Sequence, residues 1–134
     1  MEKTSSKVYQ AVGKRKSAIA RVSVTPGDGH FFVNGHNTLE SYFGRPALSL
    51  NIKRPLEVTG SLDQVNVVAN IIGGGPAGQA DALKSGIAKA LLALNADFRK
   101  SLRTAGFLTR DSRVKERKHY GKRGARRGNQ WTKR

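Results

Sequence analysis

The chain contains no cysteine, one methionine, one tryptophan and only nine acidic residues in 134. Without cysteine there is no disulfide, thiolate zinc site, iron–sulfur cluster or cysteine nucleophile, a composition that suits a reducing compartment. His30, His36 and His119 are the only imidazoles and form no HExxH pair, so neither metal catalysis nor a bound cofactor is expected. No run of 18 apolar residues occurs, and the first thirty residues lack the apolar core of a secretory signal. Neither end carries a lipidation motif, and the reading is of a soluble chain with no membrane role. Against so few acids, 25 Lys and Arg leave a formal net charge of +16. A polyanion relieves such self-repulsion, and nucleic acid is the first candidate.

The charge is uneven. Residues 1–109 hold 14 basic and 7 acidic side chains, and residues 110–134 hold 11 and 2. The second segment has only Val114, Tyr120, Ala125 and Trp131 as apolar or aromatic residues. Those are too few to offset a backbone ordering cost of roughly 1–2 kcal/mol per residue, so the segment reads as an extended tail that does not fold alone. The length suits a single domain, a globular body over 1–109 followed by the tail over 110–134.

Within the body, Val8, Gln10 and Val12, then Ala18, Ala20, Val22 and Val24, alternate with Tyr9, Ile19, Arg21 and Ser23 in the period of half-buried strands. Gly13-Lys14-Arg15-Lys16-Ser17 reads as their connection. Pro26-Gly27-Asp28-Gly29 predicts a turn before a short third strand, Phe31-Phe32-Val33. Asn37 followed by Glu40 predicts a helix start, with a break at Arg45-Pro46. Residues 47–52 fit either a short helix or a loop. Val65 to Ile72, rich in β-branched residues, reads as a central strand. Ala80, Leu83, Ile87, Leu91 and Leu94, spaced by 3, 4, 4 and 3, form one helical stripe. This helix is expected to continue past a kink near 95–97 to Gly106, with Gly86 marking close packing on a sheet. The class is α+β, one sheet with helices on one face.

Gly73-Gly74-Gly75-Pro76-Ala77-Gly78 satisfies GxGxxG, and Asp97 follows Gly78 by nineteen residues. A dinucleotide fold would end a second parallel strand at that acid, yet the residues around Asp97 read as helix. A phosphate-binding loop of the NTPase kind would need Lys and Ser or Thr where Gln79-Ala80 stand. Nucleotide catalysis is therefore rejected. The loop remains either a backbone cradle for a nucleic-acid phosphate or a structural turn. Lys14, Arg15 and Lys16, with Arg21, predict a second phosphate site, because adjacent cations favour an anion between them. In the tail, Arg110, Arg113 and Arg117 would form one basic stripe on a helical turn, beside an Asp111–Lys115 pair. Gly121, Gly124 and Gly128 then punctuate Lys122-Arg123 and Arg126-Arg127, a pattern able to thread RNA grooves while arginine forks take phosphates. Tyr120 and Trp131 are candidates to stack on unpaired bases. A generic polybasic arm or a targeting signal is the competing reading of the tail.

Three ordered blocks, Gly13 to Val22, Gly73 to Leu91 and Leu108 to Lys118, resemble the small-subunit ribosomal protein S-nine family, and the resemblance runs from about Val8 to Arg134. It implies a mostly antiparallel sheet carrying helices, similar to the second domain of ribosomal protein S-five and including a left-handed crossover. It implies a non-enzymatic constituent of the small-subunit head, with ribosomal RNA and neighbouring ribosomal proteins as partners and no independent homo-oligomer. The implied RNA-binding residues are Lys14, Arg15, Lys16, Arg21, Gly74, Gly75, Gln79, Arg110, Arg113, Lys115, Arg117, Lys118, Lys122, Arg123, Arg126 and Arg127. Lys133 and Arg134 match the family's terminal residues, which approach the anticodon stem-loop of the peptidyl-site transfer RNA. Where the family usually ends Pro-Gln-Phe-Ser-Lys-Arg, this chain has Asn129-Gln130-Trp131-Thr132-Lys133-Arg134, which keeps the aromatic and the hydroxyl but loses the stiffening proline. The compact length suits a bacterial or plastid ribosome, in the bacterial cytoplasm or chloroplast stroma. A free-standing RNA-binding or RNA-chaperone protein is the alternative reading.

Overall fold

The computed structural model describes residues 8–109, 113, 117–121, 123–125 and 127. The alternation at Ala18, Ala20, Val22 and Val24 becomes strand β2 (Ala18–Pro26), with all four side chains buried. β2 pairs antiparallel with β1 (Tyr9–Arg15) on one side and with β4 (Val65–Ile72) on the other. The short β3 (Phe31–Val33) lies parallel to β4, giving a mixed sheet of order β1-β2-β4-β3. The helices α1 (Leu39–Phe43) and α2 (Pro46–Thr59) form the crossover between β3 and β4.

One face of the sheet packs against α3 (Pro76–Leu94), whose Ala80, Leu83, Ile87 and Leu91 are fully buried over β1 and β2, with α2 alongside. The opposite face stays open, so β4 alternates. Val65, Val67, Ala69 and Ile71 are buried, whereas Val68 and Ile72 are exposed. The fold is α+β, as the sequence indicates.

Several local expectations are corrected. The apolar face of β1 is inverted, since Val8, Gln10 and Val12 lie on the open side while Ala11 and Gly13 face α3. The reason is steric. A Cβ on Gly13 would run into the Ala82 carbonyl and the Gly86 amide, and one on Gly86 would sit 2.6 Å from Val22 Cγ2, so strand and helix meet through two glycines. Apolar patterning cannot register a face built by a residue without a side chain. Lys14 and Arg15 belong to β1 rather than to a connection, and the register Arg15↔Ala18 leaves only Lys16-Ser17 in the turn, with Lys16 at φ 52°.

Thr38 rather than Asn37 caps α1, its hydroxyl accepting the Ser41 amide at 3.0 Å, and left-handed Gly44 ends that helix. Residues 47–52, open between helix and loop, lie in α2, which starts with Pro46 in its first turn and continues through a buried Pro55. Past α3 the helix breaks rather than kinks. Asn95 adopts extended backbone and accepts the Asp97 amide, starting a single 3₁₀ turn (Ala96–Phe98), and α4 (Arg99–Thr104) follows. The chain then turns at Gly106, and Phe107 and Leu108 pack back against the core. Among the described residues no helix is long and apolar enough to cross a membrane.

Candidate nucleic-acid interface

The glycine loop and the cationic hairpin, 57 residues apart from Lys16 to Gly73 in the sequence, pack on one another. Gly73 and Gly74 both have positive φ, and a Cβ on either would meet Ser17 or Ala18, so the close approach of the β1–β2 turn requires glycine there. Gly75 then precedes α3 with no side-chain cap, and Lys16 lies over Gly78 in the first turn of that helix. Backbone amides at the start of a 19-residue helix and the Lys16 side chain thus share one rim. The structural role of the glycines and an anion-attracting role are compatible, because packing against the turn leaves the loop itself exposed.

Gln79 is engaged inside the body. Its amide donates to the Gly73 carbonyl at 3.0 Å, and its oxygen accepts the Tyr42 hydroxyl at 2.9 Å. This ties α1, the glycine loop and α3 together and gives Gln79 a positioning role that the sequence did not reveal.

Strand geometry divides the basic cluster. Lys14 and Arg21 lie on the open sheet face, Lys14 opposite Ile19 and Arg21 opposite Val12, while Arg15 points to the helix side. There Arg15 Nε approaches Asp81 Oδ2 at 3.7 Å, and Lys84 Nζ approaches Asp81 Oδ1 at 3.9 Å. Asn51 donates to the same carboxylate at 3.1 Å and accepts from Lys84 at 3.4 Å. The Asp81 carboxylate, on α3, therefore gathers two cations into one place. Lys14, next to Arg15 on the edge strand β1, also borders this place. It is a cavity of about 330 Å³ lined by Lys14, Arg15, Asp81, Lys84, Ser85 and, from beyond α4, Arg113. Among the described residues of this lining, basic side chains outnumber the single carboxylate. Lys84 also sits 5.6 Å from the centre of the Phe107 ring, and the Ser85 hydroxyl, in a residue about nine-tenths buried, has no hydrogen-bond partner among the described residues.

The structure thus brings Lys14, Arg15 and Arg113 together, and adds Lys84, which sequence reasoning missed. Its only signal was the i, i+3 spacing from Asp81 on the flank of the helical stripe. Arg21 is separate, in a shallow hollow of about 290 Å³ on the open face, beside Gln10, Val68 and Asn70. Arg117, Lys118, Arg123 and Arg127 are exposed, and the Arg123 amide donates to the Arg127 carbonyl at 2.9 Å. Arg113 and Arg117, the described members of the expected basic stripe, are not helical. Arg110, Lys115, Lys122, Arg126, Lys133 and Arg134, with Trp131, lie outside the described residues, and Tyr120 is fully exposed.

Residues 13–134 match the family described as Ribosomal protein S9/S16. The chain is 50% identical to the small ribosomal subunit protein uS9 of Syntrophobacter fumaroxidans over 126 residues, 94% of this chain and 96% of that one. It is 47% identical to the small ribosomal subunit protein uS9 of Mesoplasma florum over 127 residues, 95% and 96% of the two chains. The chain belongs to the ribosomal protein S9 family. That family is structural and non-enzymatic, so the GxGxxG pattern at Gly73–Gly78 is not a catalytic nucleotide site.

Proposed function

We propose that this protein is a structural constituent of the small ribosomal subunit that binds ribosomal RNA phosphates through its basic body surface and C-terminal segment. The observation that carries the reading is the positive cavity of Lys14, Arg15, Lys84 and Arg113, beside the rim of Lys16 and the α3 N-terminus. Arginine forks and lysine ammonium groups suit phosphate oxygens. The uS9 relatives are small-subunit proteins by name, which favours this reading over a free-standing RNA-binding or chaperone protein. That both are bacterial supports a bacterial cytoplasmic ribosome over a chloroplast one.

The finer reading divides the chain into an RNA-binding body over 1–109 and an extended basic tail over 110–134, whose Lys133 and Arg134 approach the anticodon stem-loop of peptidyl-site transfer RNA. It extends the fold likeness to the second domain of ribosomal protein S-five. Neighbouring ribosomal proteins of the head are the further partners. The open sheet face, where Val12, Phe32, Val68 and Ile72 stay exposed, supports a protein neighbour there.

The test is the salt dependence of binding to small-subunit ribosomal RNA. Replacing the exposed Lys14, Lys16 and Arg21 by Gln is expected to weaken binding to different RNA sequences alike. The slope of log affinity against log salt should flatten by up to about 0.7–0.9 for every phosphate that is no longer neutralised. A changed sequence preference at an unaltered slope would contradict phosphate binding.

A further inference from the structure

A second cationic hollow, of about 410 Å³, lies where α3, α4 and the segment after Gly106 meet. Its walls carry Lys89 from α3, Arg99 and Arg103 from α4, and Leu92, Leu108 and Thr109. Arg99 and Arg103, four residues apart on α4, repel one another across one helical turn, and among the described residues neither is held in an ion pair. Among the described residues, no acid lines the hollow. Lys89 donates to the Val12 carbonyl at 3.2 Å, which fixes its ammonium against the β1 edge and leaves two of its three donors for another group.

The two cavities share a wall. Phe107 lines the first, Leu108 the second, and Thr109 both. The strap 106–109 therefore runs between two pools of positive charge just before the basic C-terminal segment begins.

We propose that Lys89, Arg99 and Arg103 form a second phosphate site, and that one RNA strand seated in both hollows pins this strap and so fixes the root of the C-terminal segment. Guanidinium groups at Arg99 and Arg103 take phosphodiester oxygens as forks, while Leu92 and Leu108 offer an apolar floor to the sugar between phosphates. The assignment rests on the reading of the first cavity as an RNA-phosphate site, because it is the shared wall that makes a continuous strand the fitting occupant.

The test uses the full chain and a transcript of bacterial small-subunit ribosomal RNA, with affinity measured across a potassium chloride series. One variant is Arg99→Gln with Arg103→Gln, the other Lys14→Gln with Arg113→Gln. All four residues are solvent-exposed, and a thermal melt of each variant checks that it folds. Each pair is expected to flatten the log–log slope by up to about 1.5, and RNA is expected to slow amide exchange across 106–109 in the unsubstituted chain. If only the Lys14 and Arg113 pair flattens the slope, the second site is overturned and the proposed function stands. If neither pair does, the proposed function itself fails. If the Arg99 and Arg103 pair leaves the slope unchanged but abolishes comigration with assembled small subunits, the hollow takes a protein partner's carboxylates and the RNA assignment is overturned.

Discussion

The Asn66 side chain holds a turn that no apolar pattern could have placed. Its Oδ1 accepts the amides of Asp28, Gly29 and His30 at 3.0, 3.1 and 3.0 Å, converging three donors on one oxygen. Removing that oxygen leaves backbone donors without a partner, at a cost of about 1–3 kcal/mol for each one that water does not reach. Asn66→Ala is accordingly expected to lower stability by on the order of 2 kcal/mol in urea unfolding. Asn66→Asp keeps an acceptor in the same place and should preserve most of the stability, so equal destabilisation by both would contradict the acceptor role. Gly13 is the second sensitive residue. Because a Cβ there collides with the backbone of α3 at Ala82 and Gly86, the strand and helix must separate to admit it. Gly13→Ala should cost about 1–3 kcal/mol or more, read from the same unfolding curves, and a neutral result would mean that β1 and α3 do not touch at this point.

Among the elements, α3 was the most legible, because its stripe at 3.6-residue spacing is a property of large side chains that the core demands. β1 was legible as a strand but not in orientation. The residues it presents to α3 include Ala11 and Gly13, and the valines that suggested a buried face lie in the open. Helix α2 was obscured by Pro46 and Pro55, one of which starts the helix and the other of which it tolerates. Of the basic groups, Lys14 to Lys16 are visible as a run, whereas Lys84, Lys89, Arg99 and Arg103 are scattered along two helices with no pattern that singles them out. Only the tertiary fold, which stacks α3, α4 and the 106–109 strap, collects them into cavities. The same stacking sets where the chain can be cut. The fully buried apolar residues run from Ala18 to Leu102, and Phe107 and Leu108 pack against them. Removing residues 111–134 is therefore expected to leave a cooperative thermal melt by circular dichroism. Removing everything after Thr104 should lower the melting temperature by several degrees, since it strips Phe107 and Leu108 from the core. A non-cooperative melt of the 1–110 fragment would contradict an independently folding body.

For the whole molecule, the charge of +16 sets how it associates. Long-range attraction to a polyanion weakens with salt, while local phosphate contacts in several places along one chain add together. The terminal Lys133 and Arg134 are expected to be a small part of that sum. Deleting them should leave subunit assembly intact and speed dissociation of peptidyl-site transfer RNA by at most about fivefold at low salt, with the difference shrinking as salt screens it. An unchanged dissociation rate at every salt concentration would remove the tail end from that site. The central claim, that this chain works as part of a small ribosomal subunit rather than as a free RNA-binding protein, is tested most directly by sedimentation through a gradient at high salt. There, weak electrostatic association is stripped away and an integral component is retained. The chain is expected to comigrate with small subunits, and a stable pool at the top of the gradient, with little in the subunit fractions, would contradict that role.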